Sequence, residues 1–160
     1  MSDDFLIDLQ GEDELGAVIR AHLFIEHYVD QIIEILVPYS EHLKHLKLDY
    51  DGKLHLMIAL GIKAEVKTPL SVLGGMRNKF AHKPNYEITT SEVNNLYKSL
   101  REKERILVND GFNSLIKTSS EHAAIPNYKD LLPNEKFILL AIVIRRMIEK
   151  VLDELKDLNK

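Results

Sequence analysis

RAHLFIEHYVDQIIEIL, residues 20 to 36, repeats its apolar residues at a helical period rather than in alternation, and this sets the fold class. Followed outward, the pattern reads as one long helix from Gly11 to Val37, stopped by Pro38. On a helical wheel of about 100° per residue, Ala21, Ile25, Val29 and Ile32 lie within one broad apolar arc. Arg20, His27, Gln31 and Glu34 gather opposite it. His22 and Glu26 break the pattern by falling inside the arc, and their spacing of four lets the two side chains meet. A buried carboxylate is costly without a cation. Glu26 therefore either pairs with one or sits at a wet edge of the arc. Arg77 is the candidate partner, because a guanidinium binds a carboxylate through two parallel hydrogen bonds.

The same period continues along the chain. Ser40 to Leu48 reads as a short helix, and KLHLMIALG as a third, capped by Asp51 and ending at Gly61. Thr68-Pro69 has the form of a helix start, with Thr as the cap and Pro at the first helical position. That helix should end near His82, because Lys83 precedes Pro84 and is biased away from helical geometry. Thr89 with Glu92 forms a capping box and opens a helix that should stop at Asp110-Gly111. ILVNDGFNSLI admits a second reading as a short hairpin, and residues 112 to 131, with Pro126, carry few signals. A last long helix runs from Pro133 to about Leu158. Its run FILLAIVI is apolar all round, as in a central or interface helix, so Arg145 and Arg146 should either snorkel at its edge or face a partner. The expected architecture is all-α: residues 1–160 as a single bundle of about five helices, the two long ones near the chain ends.

Composition narrows the chemistry. With no Cys among 160 residues, disulfides, thiolate metal sites and a Cys nucleophile are excluded. MSDDFLIDLQ is acidic, unlike a signal peptide, and an eight-residue apolar run is far shorter than the roughly 20 residues needed to cross a bilayer. A cytoplasmic protein with no membrane partner is expected. Net charge is −4, unevenly placed: the first fifteen residues hold six acids and no base, whereas residues 74 to 105 hold seven bases against four acids. The latter is either a local basic surface or an ordinary solvated face, and its cluster REKER alternates with glutamates. His42, His45 and His55 could approach one another, but no Cys or His-Glu-x-x-His string supports zinc, and no metal or other cofactor is expected. Phosphate-cradling glycine loops and G-x-S-x-G strings are absent.

The chemically richest stretch is GGMRNKFAHKP, residues 74 to 84. Gly74 and Gly75 each cost about 1 kcal/mol inside a helix, so the pair suggests that another backbone or a ligand comes close. Asn78 and His82 share a helix face. Arg77 and His82 are five apart and converge only if the helix frays or turns near Pro84. Histidine moves protons near neutral pH, arginine holds a phosphate, and asparagine orients either. This set suits RNA cleavage by the substrate's own 2′-hydroxyl, with a second histidine, from another copy or at His22, completing the proton transfers. The competing reading is structural: Arg77 pairs with Glu26, His82 caps its helix, and Asn78 bonds a loop.

Arg77-Asn78-Lys79-Phe80-Ala81-His82 resembles the signature of the HEPN superfamily: arginine, a polar residue, and histidine after four to six positions. RAHLFIEHYVDQIIEIL, KLHLMIALGI and RNKFAH, in that order, are similar to the mannitol operon repressor family, over roughly residues 15 to 85. The resemblance implies an all-α bundle, commonly a homodimer. Its ribonuclease members cut RNA without metal at a cleft between two copies. It would make Arg77, Asn78 and His82 catalytic, with Glu26, His22, Lys79 and Lys83 binding or supporting. It also implies a toxin or defence role beside a nucleotidyltransferase-fold antitoxin or other regulatory protein. In the repressor relatives it implies instead a non-enzymatic regulatory or protein-interaction module. No short helix beside a tight turn resembles a helix-turn-helix reader.

Overall fold

The computed structural model describes residues 5, 9–83, 85–119 (backbone alone from 111) and 128–158. From residue 14 onward these form six α-helices and two 3-10 turns, with no strand among the described residues. The helices are α1 (Glu14–Leu36), α2 (Tyr50–Ala59), α3 (Ala64–His82), α4 (Thr90–Ser99), α5 (Glu102–Ser119) and α6 (Pro133–Leu158), with 3-10 turns at Ser40–His45 and Tyr128–Asp130. Phe5, Leu9 and Gln10 are helical as well.

The two long helices, α1 and α6, pack directly against each other, and α2 to α5 close around them. Helix α6 is the hub. It touches α1, α3, α4 and α5, which explains why its apolar run has no polar face. Phe137, Leu140, Ile144 and Ile148 are sealed from water, as are Ile25, Val29 and Ile32 on α1. Burying each such side chain contributes about 1.5–3 kcal/mol. Arg145 is held at the edge of this core, its guanidinium 4.9 Å from the Phe5 ring and 3.5 Å from Glu149. Arg146 is exposed.

Local signals set three of the six helix starts. Asp13 accepts the Gly16 N–H at 2.7 Å to open α1, Asp49 accepts the Gly52 N–H at 2.8 Å to open α2, and Thr89 with Glu92 closes the expected capping box on α4. Four expectations need correction. Asp49, not Asp51, caps α2. Helix α3 begins at Ala64 rather than at Thr68, with Pro69 inside it. There Pro69 forfeits only the bond to the Glu65 carbonyl, whose residue is exposed to water, while extending the helix buries Val66. The helix expected from Thr89 to Asp110 is two, because buried Leu100 is extended (ψ 148°) and separates α4 from α5. This break takes the helix count past five. Finally, α5 runs through Asp110 and Gly111, so the hairpin reading fails. An interior glycine costs about 1 kcal/mol, and packing of α5 on α6, with Val108 buried, outweighs it. Pro126 and the rest of 120–127 lie outside the described residues, as do Asp3, Asp4 and Asp8.

Candidate functional site at the end of helix α3

Helix α3 crosses α1 and α2 and ends beside the start of α4. Its inner face is locked by one aromatic ring. Tyr50, the first residue of α2, lies over Gly74 so closely that a Cβ there would stand 2.8 Å from the ring. The Tyr50 hydroxyl donates to the Leu70 carbonyl at 3.2 Å, and the ring stacks on His22 with centroids 4.3 Å apart. The close approach that Gly74 allows is therefore made by a side chain, not by a backbone or a ligand. A Cβ on Gly75, one residue on, would meet nothing within 4 Å.

Below this ring lies the polar cluster that the wheel anticipated. His22 is 4% exposed and faces Glu26, with Nδ1 3.6 Å from the carboxylate. The cation of Glu26 is Lys53 and not Arg77: the Lys53 ammonium donates to Glu26 at 2.7 Å and to Asp30 at 3.0 Å. Asp30 follows Glu26 by one helical turn, and this i, i+4 carboxylate pair on one face was the available sign of a shared cation. The sequence reading passed over Asp30, Lys53 and Tyr50. Burial by itself would lower the Lys53 pKa, but its hydrogen bonds to Glu26 and Asp30 outweigh burial and hold it above the usual value. Burial pushes His22 below its usual value. Glu26 partly offsets this, while the nearby charges of Arg77 and Lys53 add to it, leaving His22 a neutral imidazole at physiological pH. The Tyr50 phenol is raised, first by burial and then by Glu26.

The outer face of the same helix is different. Arg77, Asn78 and His82 are all exposed. Arg77 Nη1 donates to Asn78 Oδ1 at 3.1 Å, and Arg77 forms no ion pair with a carboxylate among the described residues. The helix is regular through His82 and is capped at Lys83, whose extended backbone (φ −133°, ψ 99°) fits a residue before proline. Arg77 and His82 are thus five positions apart on an unbroken helix, about 140° around its axis, and one chain does not set them side by side. The other two supporting candidates are drawn into the α3–α4 connection. Lys79 pairs with Glu92 at 2.7 Å, and Lys83 lies 5.9 Å from the Tyr86 ring. Tyr86 packs edge-on against Phe80, and the Ile88 N–H donates to Glu14 at 2.8 Å, fixing the loop after the motif to the start of α1.

The remaining histidines stay dispersed. His55 lies 2.6 Å from the Lys67 ammonium and 3.6 Å from Asp51, while His42 and His45 sit on the 3-10 turn. Among the described residues no three potential metal ligands come together, and no helix is long and apolar enough to cross a membrane. The fold and this site define an all-α helical bundle with an open basic and imidazole-bearing helix end. Comparison with protein-family models, curated proteins and solved structures returns no match.

Proposed function

We propose that this protein is a HEPN-like helical protein that cuts RNA without a metal, through Arg77, Asn78 and His82, with each site shared between two copies of the chain. The observation that carries this reading is the role of Lys53. It pairs with both Glu26 and Asp30, so Glu26 has a cation without Arg77, and Arg77 is not held by the ion pair that would otherwise explain it. An exposed guanidinium, an amide bonded to it and an exposed imidazole then remain on the last turns of one helix.

In the proposed reaction His82 takes the proton from a ribose 2′-hydroxyl. The freed oxygen attacks the adjacent phosphorus, the bond to the 5′-oxygen breaks, and a second imidazole protonates the leaving group. Arg77 offsets the charge that develops on the phosphate, and Asn78 holds the guanidinium in place. His22 is buried and stacked on Tyr50, which leaves the His82 of another copy as the second proton carrier. Leu15 and Leu23, two turns apart on α1 and 46% and 58% exposed, supply an apolar ridge that such a copy could cover. In this reading the protein acts as a cytoplasmic toxin or defence factor, restrained by a nucleotidyltransferase-fold antitoxin.

One observation favours a second reading. The unbroken helix keeps Arg77 and His82 on different faces of a single chain, which suits a non-enzymatic regulatory or interaction module of the mannitol operon repressor type. Incubating labelled RNA with the protein in EDTA separates the two. Cutting that disappears in His82→Ala, with an unchanged melting temperature, supports the nuclease; no cutting by the wild-type protein supports the module.

A further inference from the structure

A groove of about 600 Å³ lies at the other end of the molecule, along the C-terminal half of α6 and independent of the site on α3. Val143, Met147, Val151 and Leu155 recur every four residues and form one apolar stripe along its floor. Leu107 of α5 borders the stripe and is 50% exposed, and Leu158 at its far end is 82% exposed. From Val143 to Leu158 the floor extends about 20 Å at 1.5 Å per residue. The rim is basic: Lys63, Arg101, Lys103, Arg146 and Lys150 face only Glu104 and Glu154. Glu104 is itself buried against Arg101, and even with Glu65, which reaches Arg101 at 3.5 Å, cations remain in excess. The side chains of Lys63 and Arg146 have no ion pair among the described residues.

We propose that this groove docks an acidic amphipathic helix of a partner protein. The length and spacing of the stripe suit the apolar face of a helix of about four turns, read at i, i+4 positions. The sign of the rim selects acids on the flanks of that helix. The groove inverts the charge of a chain that is −4 overall, so a second copy presenting the same groove is repelled and self-pairing through this face is disfavoured.

The test titrates ¹⁵N-labelled protein with a synthetic peptide of roughly 16 residues, built from Ala and Glu with Leu at helical i, i+4 spacing. Amide shifts confined to the residues around the groove, on α5 and α6, at Arg101 and from Gly61 to Val66, are expected. Arg146→Glu should weaken binding at least about tenfold, and Leu107→Ser should weaken it by a smaller factor. Both positions are exposed, so an unchanged melting temperature shows that the variants fold. Four results would overturn the proposal: equal binding of a scrambled peptide, equal binding of a Lys-for-Glu peptide, shifts elsewhere in the molecule, or no shifts. Shifts produced by laurate but not by the peptide would also overturn it and assign the groove to a small anionic amphiphile.

Discussion

Gly74 and Gly75 adjoin in the chain, yet they belong to two different regions of α3. On the inner face, Gly74 receives the ring of Tyr50, which stacks on His22 above Glu26, and Lys53 completes the cluster. Each charged side chain there touches one of opposite sign. On the outer side, Gly75 meets open space, and Arg77, Asn78 and His82 are exposed, with Arg77 bonding Asn78 and His82 about 140° around the helix from Arg77. A structural network and a reactive-looking set thus occupy one helix, divided by the 100° step between residues. Polar residues within an apolar pattern can serve packing, and those a turn beyond them can be left free for chemistry.

Perturbing the two faces should have opposite signatures. His82→Ala is expected to lower RNA cleavage by at least about 100-fold while shifting the melting temperature by no more than about 1 °C, since His82 is exposed. Gly74→Ala should do the reverse. Its new methyl group would press on a ring held by His22 and the Leu70 carbonyl, so a loss of about 1–3 kcal/mol is expected, visible in urea denaturation. Lys53→Met leaves Glu26 and Asp30 without their cation. Because both carboxylates still see some water, a loss of about 2 kcal/mol is expected, below the roughly 3–5 kcal/mol for breaking a fully buried pair. Gly75→Ala, one residue from the damaging substitution, should instead raise stability by about 0.5–1 kcal/mol, because it adds helix propensity in open space.

The pH dependence of stability is a finer probe of the inner face. The folded-state pKa of His22 is lowered from 6.5, first by burial. Below that value the unfolded chain binds the proton more readily than the folded one. The stability contribution is therefore complete above the unfolded pKa and is lost as pH falls through the window beneath it. Thermal melts between about pH 7 and 5 should fall more steeply for the wild type than for His22→Gln. Equal slopes would mean that His22 charges freely in the folded state, against the packing described.

Much of the fold was legible because local and global signals agree. The period of residues 20 to 36 marks the body of α1, the Thr89–Glu92 box the start of α4 and the Lys83-Pro84 step the end of α3, each where it was read. These misreadings have a common cause, which is tertiary packing overriding the local signal. Pro69 is absorbed into α3, Gly111 into α5, and buried Leu100 interrupts a pattern with no breaker at all. At the site, the His22–Glu26 contact could be seen from spacing alone, whereas the identity of the cation could not. It depends on how α2 lies across α1, and the residue spacing within one helix does not carry that crossing. Asp30 was the missed hint, since two carboxylates one turn apart invite one shared lysine.

The most direct test of the shared site is a mixing experiment. Wild-type and His82→Ala chains are combined in equal amounts, allowed to exchange partners, and assayed for RNA cleavage in EDTA. If every site needs the His82 of both copies, only wild-type pairs cut, and activity should be about a quarter of that of the same total amount of wild-type chain. Activity of about half would contradict a site shared between two chains.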